Sequence, residues 1–115
     1  MNDKRFFEVK QLLQEEWPLI KNKYDVTLHV CEQGSMIHRT IMDKFKKTYD
    51  KSKKKRNTLG LTMMPLEFDK FSALEESVKY ALKNLDISEH DKILVKNLYC
   101  DINSVLKRCS AIMWG

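Results

Sequence analysis

Hydrophobic positions along the chain first mark a helix. Phe6, Val9, Leu13, Trp17, Ile20 and Tyr24 recur every three or four residues with Lys and Glu between them, which predicts an amphipathic helix over residues 3–24. Pro18 lies inside that pattern and has no amide hydrogen, so a turn or a bend is expected there. Val26, Leu28 and Val30 then alternate with Thr27, His29 and polar neighbours, the period of a strand over 26–31. Glu32, Gln33, Gly34 and Ser35 form the turn that follows, with Gly34 able to take positive φ.

From 36 to 50 the pattern supports two elements. Ile37, Ile41, Phe45 and Tyr49 are four apart, one stripe of a helix with Ser35 as its cap. The same residues share one parity, as a strand requires, with Arg39, Asp43 and Lys47 interleaved. Residues 51–57 read as a solvated turn, because so many like charges repel in compact packing. Residues 58–63, Thr-Leu-Gly-Leu-Thr-Met, predict a further strand, with Gly60 marking a bulge or a close backbone approach.

Pro65 opens a second helix at its first turn, with Glu67 and Asp69 near the positive end of its dipole. Phe68, Phe71, Leu74, Val78, Ala81, Leu82 and Leu85 form its apolar face. A break over 85–88 leads to a last helix, with Ser88 and Asp91 as an acidic N-terminal signature. Leu94, Leu98, Ile102, Val105, Cys109 and Ile112 give that helix a seam near coiled-coil spacing, suited to a partner helix within the domain or across a dimer.

Charge changes this picture more than composition does. Nine basic residues (Arg39, Lys44, Lys46, Lys47, Lys51, Lys53, Lys54, Lys55 and Arg56) face only Asp43 and Asp50 between positions 39 and 56, a local net charge of +7 in a chain whose total is +5. Phe45 and Tyr49 stand among these cations, a mixture suited to phosphates and bases together. A length of 115 residues with 43% hydrophobic content suits one domain with its own core, divided into 1–25, 26–85 and 88–115.

No apolar run is long enough to span a bilayer, and the N-terminus lacks a signal-peptide pattern. Three cysteines, Cys31, Cys100 and Cys109, read as reduced buried thiols of an intracellular protein in cytoplasm or nucleus. His29, His38 and His90 are scattered, and no ligand spacing for zinc appears. Without a phosphate loop, a His-Glu-x-x-His or a nucleophile elbow, the pattern offers no catalytic residue and no cofactor. An adjacent pair such as Glu75-Glu76 diverges by about 100° on a helix and reads as solvent face.

Residues 60–74, Gly-Leu-Thr-Met-Met-Pro-Leu-Glu-Phe-Asp-Lys-Phe-Ser-Ala-Leu, resemble the PC4 family of transcriptional coactivators and single-stranded-DNA-binding proteins. Gly60 to Met63 look like the family's glycine strand and Pro65 like its helix start. Phe68 resembles its characteristic aromatic, and Phe71 and Leu74 its helical core. Residues 45–49, Phe-Lys-Lys-Thr-Tyr, are similar to its basic strand, with 50–57 as a basic hairpin. Leu59 departs from the basic residue usual before the glycine, and the flanking helices are additions.

Over about 26–85 the resemblance implies a twisted antiparallel sheet backed by a helix, dimerising through its helical side. The expectation is therefore an α+β fold, a small sheet with an extra N-terminal helix and a long C-terminal helix; the alternative is a mostly α bundle. The expected function is non-enzymatic binding of single-stranded DNA by a homodimer in transcription or replication. Its contacts would be Arg39, Lys44, Phe45, Lys46, Lys47, Tyr49, Lys51, Lys53, Lys54, Lys55 and Arg56. Phe68, Phe71, Leu74, Val78, Leu98, Ile102 and Val105 would serve packing or the dimer. The alternative function is a helical module that binds and modulates a protein complex, with 35–55 as a basic amphipathic helix.

Overall fold

A computed structural model describes residues 3–59 and 64–115. They form four helices: α1 (Asp3–Val30), α2 (Gly34–Leu59), α3 (Leu66–Asn84) and α4 (Glu89–Trp114). No strand occurs among the described residues, so the α+β expectation gives way to a helical bundle.

Each expected strand is corrected by burial. Leu28 and Cys31 are buried and continue the stripe of Val9, Leu13, Ile20 and Tyr24 at helical spacing, whereas Val26 and Val30 are exposed. The alternation over 26–31 is thus the end of α1. Ile37 and Ile41 are fully buried and Phe45 and Tyr49 half-buried, so the four-residue spacing over 36–50 belongs to a helix. The basic segment 51–57, expected as a turn or hairpin, continues α2. Thr58 and Leu59 end that helix, and the proposed glycine strand at 60–63 lies outside the described residues.

Pro18 sits on the exposed side of α1, which runs on through it. The carbonyl of Gln14 that loses its amide partner is therefore on a face open to solvent. Pro65 is the N-cap of α3, one residue before the helix it was expected to open, and its carbonyl accepts from the Phe68 amide at 2.9 Å.

The bundle measures 45 × 26 × 20 Å, its long axis close to the roughly 42 Å that 28 helical residues span. α2 packs chiefly on α3 and α1 chiefly on α4, α3 and α4 join the two pairs, and α1 makes smaller, equal contacts with α2 and α3. α1 runs antiparallel to α4, with Lys23 on Asp101 and Glu16 on Arg108. It runs parallel to α3, where Trp17 meets Phe71 edge to face at 5.2 Å.

Phe71, Leu74, Val78, Leu98, Ile102 and Val105 are buried in this chain's own core, and Phe68 is half-buried against it. Burying an aliphatic or aromatic side chain of this kind stabilises by about 1.5–3 kcal/mol. Cys31 and Cys109 are buried as expected, but Cys100 is exposed, and all three are free thiols.

Candidate nucleic-acid interface

The basic cluster lies on one helix, held by the bundle at both ends. At the start of α2, the amides of Glu32 and Gln33 donate to the two carboxylate oxygens of Asp91 at 2.8 and 2.9 Å. Asp91 comes from the first turn of α4, where its own amide donates to Ser88 Oγ at 3.2 Å. The Ser88 cap expected from sequence is therefore present, while the Asp91 side chain crosses to the α1–α2 turn.

Burial by itself would raise the Asp91 pKa; the Gln33 and Glu32 amides, helped by His90, outweigh it and hold the carboxyl below its usual value. Beside it, burial pushes the Cys31 thiol up to about 11, with the charge of Asp91 and a hydrogen bond to it adding to the shift. Burial likewise raises Cys109 to about 11, partly offset by Arg108. Burial, then the charge of Asp25, raises the pKa of Tyr24 above its ordinary value. At the far end of α2, Arg56 Nε donates to Asp69 Oδ2 at 2.8 Å and its guanidinium also reaches the Pro65 carbonyl. Its side chain is only 17% exposed, so this cation fastens α2 to α3.

The other expected contacts divide by face. Arg39, Lys46, Lys47, Lys51, Lys53, Lys54 and Lys55 are exposed. Lys44 is half-buried, its Nζ 5.0 Å from the centre of the Tyr80 ring on α3. Lys53 lies over Tyr49 at 4.8 Å and 3.7 Å from Asp50. Phe45 and Tyr49 stack on each other at 5.6 Å and 27°. Both are half-buried; Phe45 packs against the core, while Tyr49 carries Lys53 over its ring.

At about 100° per residue, Lys47, Lys51, Lys54 and Lys55 share one stripe, on the side of α2 where Lys44 reaches Tyr80. Arg39, Lys46 and Lys53, seven residues apart, form a second row on the opposite flank, beside Met42. The first stripe spans about 12 Å of helix. Beyond the Lys44–Tyr80 contact, α3 exposes Lys79 and Lys83, two cations absent from the expected contacts, together with Glu76. The signal of the two lysines was available: they sit four apart, on the face away from the buried Val78 and Ala81.

Among the described residues no three His, Cys, Asp or Glu side chains gather as a metal site, and no helix is long and apolar enough to cross a membrane. Comparisons with protein-family models, curated proteins and solved structures find nothing that matches this chain.

Proposed function

We propose that this protein is a non-enzymatic binding module that holds the phosphate backbone of a nucleic acid on α2. The observation carrying the reading is the row of Lys47, Lys51, Lys54 and Lys55 on a helix anchored at both ends. A rigid cationic row releases counterions from a phosphate chain without reordering the protein, and that release supplies most non-specific affinity. Base stacking is secondary in this reading, because Phe45 packs against the core and the Tyr49 ring is shared between Phe45 and Lys53. Phosphate contact thus replaces the sheet groove, and duplex and single strand become competitors for one face.

The test is a titration of fluorescent duplex and single-stranded oligonucleotides by anisotropy. Replacing Lys47, Lys51, Lys54 and Lys55 together by Ala should weaken binding on the order of a hundredfold near 0.1 M salt. Replacing the exposed Lys96 and Lys107 of α4 should leave affinity within about twofold. Equal losses from the two sets would contradict the assignment to α2.

A further inference from the structure

We infer that the outer face of α1 and α4 joins a second copy of this chain. The two copies form a two-fold dimer whose axis runs along the helices, so that α1 of each lies on α4 of the other. Leu19, Val26 and Val30 on α1 and Ile93 on α4 are each more than half exposed. Steps of seven and four between the α1 residues put them on one stripe. That stripe borders α4: Leu19 and Val26 flank Lys23, four residues before it and three after, and Lys23 pairs with Asp101. On α4, exposed Ser104 stands in the same way between Asp101 and Arg108, which pairs with Glu16. Ile93 and exposed Ala111 share the Ser104 side of α4, at steps of eleven and seven.

The face is large enough for a dimer. Two helices about 40 Å long, packed about 10 Å apart, present on the order of 800 Å² per copy, the size of a standard interface. α2 and α3 form the opposite side of the bundle, so the lysine stripe of α2 stays open.

What selects a second copy is that the face complements itself in charge and in size. Glu15, four residues before Leu19, and Lys107, three after Ser104, are both exposed on it. Glu15 accepts from Gln11 at 3.2 Å, and among the described residues neither Glu15 nor Lys107 forms an ion pair within the chain. Glu8 and Lys96, also exposed, continue the division of acid on α1 and base on α4. The Glu16–Arg108 pair sets Glu15 and Lys107 at nearly the same height on the two helices. A two-fold along the helices exchanges α1 for α4 and so places each Glu15 over the other copy's Lys107, twice per dimer. The same operation sets Leu19 over the small Ser104, and Val30 over Ile93. A two-fold across the helices would stack α1 on α1 and lose both matches.

Sedimentation of the full chain tests this. The mass should pass from 13.7 kDa to twice that value as concentration rises from about 1 to about 500 µM. Leu19→Glu, at a position exposed in the single chain, should abolish the dimer while circular dichroism keeps its helical signal. Glu15→Lys or Lys107→Glu alone should weaken association by about tenfold or more, because each puts like charges together at both contacts. A mixture of these two variants should form a heterodimer about as tight as wild type, since each copy then meets the opposite charge at both contacts. Replacing Lys47, Lys51, Lys54 and Lys55 by Ala should leave the dimer intact, which separates failure here from failure of the phosphate reading.

A chain that stays at 13.7 kDa across that range would overturn the proposal. So would a dimer indifferent to Leu19→Glu, or a mixture of the two charge variants that associates no more tightly than either alone.

Discussion

Replacing Asp91 by Ala removes the acceptor for two backbone amides, those of Glu32 and Gln33, from a site with no exposure to water. Leaving such donors unmet costs about 1–3 kcal/mol each, so a loss of about 3 kcal/mol is expected in denaturant unfolding. The pH dependence has a definite sign. The folded-state pKa of Asp91 is depressed, so its contribution is complete above the unfolded value of about 3.9 and is lost as pH falls through the folded one. Unfolding midpoints of Asp91→Asn, compared with wild type from neutral to acid pH, should converge as that contribution disappears; a constant gap would contradict the role.

Thiol chemistry follows the same burial. In the folded protein a thiol reagent should modify exposed Cys100, with Cys31 and Cys109 reacting only on unfolding. Mass spectrometry of labelled protein with and without denaturant checks this. The sequence revealed Ser88 as a cap, because capping is local. It did not reveal where the Asp91 carboxylate goes, since its partners are 58 and 59 residues away.

At the scale of elements, α2 shows why periodicity was ambiguous. Residues spaced four apart share both a helical stripe and a strand's parity, so Ile37, Ile41, Phe45 and Tyr49 fit either. The outcome is set by what lies off that parity. Lys44, Ser52 and Arg56 contact Tyr80, the Thr48 carbonyl and Asp69, respectively, which requires a helical turn rather than an extended chain. Over 26–31 the strand signal came from Val26 and Val30, two exposed residues whose β-propensity is overridden by the packing of Leu28 and Cys31. α3 and the last helix were legible because Pro65 and Ser88 punctuate long apolar stripes.

The entry to α2 also demands a glycine. A Cβ at Gly34 would overlap the backbone carbonyl oxygen of Leu28, which cannot retreat without moving the end of α1. Gly34→Ala should therefore destabilise by about 2 kcal/mol, the scale of overpacking, as read by thermal or denaturant unfolding. A variant as stable as wild type would show that the turn has other freedom.

For the whole molecule, the charge cluster was directly legible, whereas the expected sheet was an error of placement. Charge is a property of the sequence, whereas the sheet depended on placing 26–31, 36–50 and 58–63 side by side. The first two lie in helices, and circular dichroism should accordingly show a mostly helical chain. The bundle gives the cluster two flanks with different neighbours: the outer faces of α2 and α3 on one side, the edge toward α1 on the other.

The phosphate reading predicts how binding depends on salt. The logarithm of affinity falls against the logarithm of salt concentration with a slope of about −0.9 for each duplex phosphate neutralised, or about −0.7 for a single strand. Measured across a series of salt concentrations, the Lys47, Lys51, Lys54 and Lys55 alanine variant should show a duplex slope shallower than wild type by about three to four. A slope unchanged by removing those four cations would contradict the assignment of the nucleic-acid interface to α2.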